Sequence, residues 1–430
     1  MHLNAYLDVD LVALENTDSV TVMLELVAPV APESAATERP EHTAIVVLDR
    51  SGSMSGARLH AAKGALLSLV DRLDDRDRFG LVTFDDEAEV AIPAGKVGDL
   101  GRDRLRHDIA AVESGGSTEL SSGYLRGLQE AARVATATGA TVLVLSDGHA
   151  NIGVTDPAQL RGVAQRAAKK GVTTSTIGIG VGYDEVILTE VATGGGGNHA
   201  FANDPDDAAV AVAAELDGLL SKTVQAASLL IEPTGDVSGI TVLNDLSTVA
   251  VENGVLAELG DFYSGESRRL VITMDVPAMA ALGLAQVANL TLTYVELATL
   301  EQHTVALPVS VNVVPGDVAA GRVPKPEVTR EKLFLQTQIA KRDIETSLRD
   351  GDVEGARTRL GAATNRLYAP GAPPLDVQLS DELAWLGATE KLVETQSSEY
   401  LSRRVAADRS RKSRGYKSRT QGGEVVDGEI

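Results

Sequence analysis

Three short stretches of this sequence carry oxygen donors at spacings that could hold a hard cation. The first is Asp49-Arg50-Ser51-Gly52-Ser53, where a carboxylate and two hydroxyls recur at every second residue. A tight turn would converge those side chains on one point, and Gly52 permits such a turn. The second is Gly115-Gly116-Ser117-Thr118, and the third is Ser146-Asp147-Gly148. Asp49, Ser51, Ser53, Thr118 and Asp147 together offer two carboxylates and three hydroxyls. Hard donors of this kind suit Mg²⁺ first, then Mn²⁺ or Ca²⁺, and not Zn²⁺ or Cu²⁺. Alone, Asp49 reads as a strand-end cap and the two serines as turn formers. Three such loops together favour the metal. Ser117 rivals Thr118, which is preferred because it stands just before a helix.

The elements around these loops must bring them to one place. Ala44–Leu48, Phe79–Phe84 and Thr141–Leu145 are short continuous apolar runs, with Thr173–Ile179 a weaker one. Amphipathic patterns lie between them, at Arg58–Leu73, Leu120–Thr136 and Pro157–Lys170. The last follows Asp156, a good cap, with Pro at the first helical position. Buried strands alternating with helices predict an α/β domain, doubly wound on a mostly parallel sheet, over residues 41–222. Ligands in such folds bind at the carboxyl ends of the strands, where all three loops fall.

The flanks differ. In residues 1–40, Val20, Val22, Leu24 and Leu26 alternate with Thr21, Met23 and Glu25, the period of a half-buried strand, before a linker from Pro29 to Pro40. The same period governs residues 223–315, where Pro308 points to a sheet edge. The N-terminal strands cannot bury a face alone. The economical arrangement is one antiparallel β-sandwich built from both ends, with the α/β domain inserted. After a linker over 315–326, residues 327–405 read as helical: a pair, Thr329–Arg349 and Asp352–Tyr368, then a third helix from Ser380 to about Arg404. Residues 406–430 read as a basic, disordered tail.

DRSGS, GGST and SDG, in this order and at these separations, resemble the metal-ion-dependent adhesion site of the von Willebrand factor type A domain family. The resemblance covers about 180 residues. It implies a Rossmann-like fold in which Gly178–Gly182 and then Glu185–Ala192 form the last strand and helix. It implies direct ligation of the ion by Ser51 and Ser53, with Asp49, Thr118 and Asp147 ligating directly or through water. An acidic side chain of a protein partner would complete the shell.

Composition narrows the function. The chain has 430 residues, a formal net charge of −22 and 3% aromatics, which disfavours nucleic acid as partner of the α/β domain. From Arg403 to Arg419, by contrast, eight Arg or Lys accompany one Asp. Such a run is usually solvated, but that segment could touch RNA, lipid or an acidic partner, or fold back on the acidic body. There is no cysteine, so neither disulfides nor thiolate-metal sites are available. The N-terminus has acids where a signal peptide needs a positive region, and no apolar stretch reaches the ~20 residues of a membrane helix. A cytoplasmic protein is expected.

Two further readings compete with a metal-gated binding module. A metal-dependent hydrolase, such as a phosphoesterase, would use the cation to polarise a phosphate. No nucleophile or positioned base accompanies the loops, and they contain no lysine, so no enzyme is expected. A structural protein with a vestigial site is disfavoured by the presence of all five ligand types. His149 and the loop of Asp85 and Asp86 lie near enough to frame the site, but read better as solvated surface. The Gly194–Gly197 run lacks a following Lys and Ser or Thr and reads as a flexible turn.

Overall fold

The computed structural model describes residues 1–31, 40–148, 152–180, 184–202, 212, 215, 218, 221–369, 371–393, 395–413 and 416–418. The chain opens with strands β1 (His2–Leu7), β2 (Leu11–Ala13) and β3 (Asp18–Val27). The α/β domain follows. Its elements are β4 (Thr43–Asp49), α1 (Ala57–Arg72), β5 (Arg78–Phe84), β6 (Ala88–Lys96), α2 (Val97–Leu100), α3 (Arg102–Ala110) and α4 (Leu120–Val134). It continues with β7 (Ala140–Ser146), α5 (Pro157–Ala168), β8 (Val172–Ile179), α6 (Glu185–Gly194) and β9 (Gly196–Ala202). The sheet order is β6-β5-β4-β7-β8-β9, parallel except for the antiparallel β5–β6 edge pair.

Every residue of β4, β7 and β8 is buried, which is why β4 and β7 read as apolar runs. Residues of α1 and α3 cover one face of the sheet; those of α4, α5 and α6 cover the other. The doubly wound fold is as expected. Two expectations within it need correction. Helix α6 is not the last element, because β9 adds a further parallel strand beside β8. The Gly194–Gly197 run is not a flexible turn but a close backbone contact: a Cβ on Gly197 would lie 2.2 Å from the Thr174 carbonyl oxygen.

Beyond it come β10 (Lys222–Pro233), β11 (Ser238–Val242), β12 (Ser247–Val251), β13 (Gly254–Tyr263), β14 (Ser267–Val276), β15 (Gly283–Glu296) and β16 (Glu301–Val314). These strands and the N-terminal ones form two antiparallel-rich sheets, β1-β3-β14-β11 and β12-β13-β10-β15-β16-β2. Strand β3 runs antiparallel to β14 from Asp18↔Val276 to Val27↔Ser267. The two sheets share one apolar core, with Val22 and Leu24 from β3, Ile272 from β14, and Leu229, Leu290 and Val311 from the other sheet. Pro308 pairs with Asn289 on one side, and β2 reaches only Asn312–Val314 on the other, so Pro308 stands at an open edge.

The half-buried reading of β3 is corrected. Thr21 and Met23 are as buried as Val20 and Val22, because helices cover the outer face of this sheet. Met23 and Val271 belong to a second core, filled by Leu335, Ile344, Leu360, Leu386 and Val405. Those helices are α8 (Pro326–Arg349), α9 (Val353–Leu367), α10 (Val377–Leu392) and α11 (Ser398–Lys412), preceded by the short α7 (Gly316–Ala320), which lies beside β2.

The single third helix expected from Ser380 is thus two. Asp376 caps α10 by accepting from the Leu379 N–H, and Ser397 caps α11 by accepting from the Tyr400 N–H. Disorder from residue 406 is corrected likewise: α11 runs to Lys412, and Tyr416–Ser418 (β17) pairs with β14. Residues 419–430 of the expected tail lie outside the described residues. Among the described residues, no helix is long and apolar enough to cross a membrane.

Candidate metal centre

Asp49 ends β4 and is wholly buried. Its Oδ1 accepts the Ser51 N–H at 2.8 Å, and its Oδ2 accepts the Ser146 hydroxyl at 2.6 Å. The carboxylate thus closes its own turn and ties the carboxyl end of β4 to that of β7. Burial pushes its pKa up to about 6, against the hydrogen bonds from Ser146 and Ser51; the charge of Asp147 adds to the rise. Past Ser51, residues Gly52–Met54 make one 3₁₀ turn, and Met54 plugs into the core under α1. That anchor fixes where Ser51 and Ser53 stand.

The two serine hydroxyls lie 3.0 Å apart, and the Ser53 hydroxyl donates to Asp147 Oδ1 at 2.7 Å. Asp147 follows directly on β7, is buried, and receives Arg58 Nη1 on Oδ2 at 2.5 Å. Backbone staples join the first two loops: Gly52 N–H to the Gly116 carbonyl at 3.1 Å, and Gly115 N–H to the Arg50 carbonyl at 2.8 Å. Thr118 is buried, whereas Ser117 is exposed. A methyl group on Gly148 would sit 2.7 Å from the Thr118 hydroxyl, which places Thr118 against the loop of Asp147. The structure therefore brings Asp49, Ser51, Ser53, Thr118 and Asp147 to three adjoining loops at one end of the sheet.

Three features went unseen in the sequence or were misjudged. Ser146 had a weak signal, being next to Asp147. Arg58 had none, since a helical arginine nine positions beyond Asp49 is ordinary. The Asp85–Asp86 loop is not merely solvated: Asp85 pairs with Arg50 at 3.0 Å, and Asp86 accepts the Ser117 N–H at 2.6 Å. Both carboxylates hold the second loop against the first. His149 lies outside the described residues.

The donor set fits a hard divalent cation. Among the described residues, no group of three or more His, Asp or Glu side chains offers a competing site. Hydroxyl oxygens at hydrogen-bond distance from one another and from a buried carboxylate are the kind of ligand Mg²⁺ takes, with water filling the remaining positions.

The comparisons with known proteins agree with this frame. The family model of the von Willebrand factor type A domain matches residues 45–213, and the chain contains a domain of that family. The protein sll0103 of Synechocystis is 27% identical over 338 residues, 74% of this chain and 76% of its own length. Among solved structures, a von Willebrand factor type A protein from Catenulispora acidiphila superposes with a TM-score of 0.73 at 16% identity, covering 97% of both chains. The ArnB paralog VWA2 from Sulfolobus acidocaldarius gives a TM-score of 0.62 at 14% identity, over 96% of this chain and 99% of that one. Both likenesses extend over the flanking sheets and helices as well as the α/β domain.

Proposed function

We propose that this protein is a metal-dependent protein-recognition module in which Asp49, Ser51, Ser53, Thr118 and Asp147 hold Mg²⁺, and that the ion receives an acidic group of a protein partner. One observation carries the reading: the Ser51 and Ser53 hydroxyls and the Asp147 carboxylate form a continuous chain of contacts no longer than 3.0 Å, beside the buried Asp49. Ser51 and Ser53 would supply neutral oxygens directly, and the two carboxylates would balance the charge of the ion. A cation so held keeps an open position for an oxygen ligand from outside. The domain's family, whose members commonly serve protein–protein interaction, supports the same reading. Among the described residues of these loops no serine is paired with a histidine or lysine base, so binding accounts for the residues better than hydrolysis.

The test is calorimetric. Asp147→Ala should weaken Mg²⁺ binding by at least about 100-fold while the far-ultraviolet circular dichroism stays that of the wild type. Capture of a partner from lysate should fail in EDTA and return with added Mg²⁺. Capture that is unchanged by chelation would remove the ion from the interface.

A further inference from the structure

Arg58 belongs to the first turn of α1, yet its guanidinium reaches across the loops. Nη1 donates to Asp147 Oδ2 at 2.5 Å and to the Ser53 carbonyl at 3.3 Å. On the far side it lies against Gly180, which follows β8 in the left-handed region at φ 74°; a Cβ there would come within 3.0 Å of Nη2. Glycine at 180 thus leaves room for the guanidinium. The Arg58 side chain is 38% exposed and that of Asp147 is 0% exposed. Arg58 therefore forms a wall between the buried Asp147 carboxylate and solvent.

Charge counting gives this wall a role. The two carboxylates of the site cancel a dication, and the hydroxyls add nothing, so the ion with its ligands has no net attraction for an anion at long range. Arg50, the other nearby cation, already faces Asp85 and Glu89 at 3.0 and 3.2 Å. Arg58 supplies positive charge directly at the oxygen donors, on Asp147. Among the described residues only its Nη1 is engaged, which leaves Nη2 and Nε to meet a ligand. A planar guanidinium matches a carboxylate and has nothing to offer the N–H₂ side of an amide.

We propose that Arg58 is the specificity-determining residue of the centre: it takes one oxygen of a ligand carboxylate whose other oxygen meets the cation. The inference rests on the metal reading above and deepens it. It makes a free carboxylate, and not an amide or hydroxyl, the group this site selects.

Mn²⁺ gives a direct readout, because a ligand that displaces its bound water lowers the relaxation rate of water protons. The wild-type protein is first titrated with Mn²⁺ alone, then with acetate and, separately, acetamide. Wild type should bind Mn²⁺ and respond to acetate but not to acetamide. R58Q should bind Mn²⁺ several-fold more tightly, having lost a neighbouring positive charge, yet need at least about tenfold more acetate for the same response. R58K, which keeps the charge and loses the fork, should fall between, and it carries the comparison if R58Q does not fold by circular dichroism. Equal acetate responses in wild type and variant, or equal responses to acetate and acetamide, overturn the role of Arg58. A wild-type protein that takes up no Mn²⁺ fails at the first titration and overturns the metal reading beneath it.

Discussion

At the scale of single residues, Asp49 couples the centre to pH. Its carboxyl has an ordinary value of 3.8 and is raised by burial to about 6 in the fold. Between those values the folded protein holds a proton that the unfolded chain has released, so the metal-free fold loses stability as pH rises through that window. Above it, the buried charge costs roughly 3 kcal/mol. A cation reverses the balance, since it binds the ionised form. Mg²⁺ affinity should therefore be flat above about pH 7 and fall up to tenfold per unit below about pH 6. Calorimetry in two buffers of different ionisation enthalpy should find nearly one proton released per ion at pH 5 and almost none at pH 7.5. The same release at both pH values would mean that Asp49 is not the titrating ligand. The five residues proposed as donors stand out in the sequence because carboxylates and hydroxyls recur at short spacing in three loops that follow apolar runs or precede a helix. The groups that orient them were not, because a hydrogen bond such as Ser146 to Asp49 joins residues 97 positions apart.

Among the elements, α4 joins the centre to the core. Its first residue, Leu120, is two beyond Thr118, and its inner face is lined with glycine where it crosses the sheet. A Cβ at Gly123 would meet the Phe84 ring at 2.5 Å, and one at Gly127 would meet Val47 Cγ2 at 2.3 Å. Two glycines on a helix normally weaken it; here they set how closely the helix approaches β4 and β5. Gly123→Ala gains about 1 kcal/mol of helix propensity and should lose more to overpacking, for a net destabilisation of about 1–2 kcal/mol. The outward shift of α4 would carry Thr118 with it. Thermal unfolding should register the first effect and a weaker Mg²⁺ affinity the second; a tighter-packed, more stable variant would show that the helix has slack. The buried parallel strands announced themselves by apolar runs. Strand β6 and helices α2 and α3 did not: β6 is a half-exposed edge strand, and α3 buries only Leu105 and Ile109. Neither pattern stands out from a polar loop.

For the whole molecule, the terminal helix decides how the parts hold together. Its sequence looks like a solvated basic run, and the charges hid Leu401, Val405 and Ala406, which are buried among the other helices. Two of its basic residues, Arg409 and Lys412, close onto acidic partners on other elements. Arg409 pairs with Asp245 at 2.8 Å and Glu345 at 3.3 Å, and Lys412 with Glu382 at 2.8 Å. The centre of this network is Lys341 of α8, wholly buried, which donates to Glu382 of α10 and Asp408 of α11 and lies over the Trp385 ring. Burial opposes the charge on Asp408, but Lys341 and Lys412 outweigh it and hold its carboxyl below the ordinary 3.8. A depressed carboxyl stabilises the fold above its unfolded value, and that stabilisation is lost as pH falls through the folded one. Lys341→Met removes the cation and leaves two buried carboxylates to share Lys412, so it should cost about 3–5 kcal/mol at neutral pH. Neutralising all three groups, as Lys341→Met with Glu382→Gln and Asp408→Asn, should recover much of that loss, because the penalty comes from unpaired charge and not from missing volume. Denaturant unfolding of the single and triple variants checks this. A triple variant no more stable than Lys341→Met would mean that the network holds the helices by its particular hydrogen bonds, and that charge balance has little part in it.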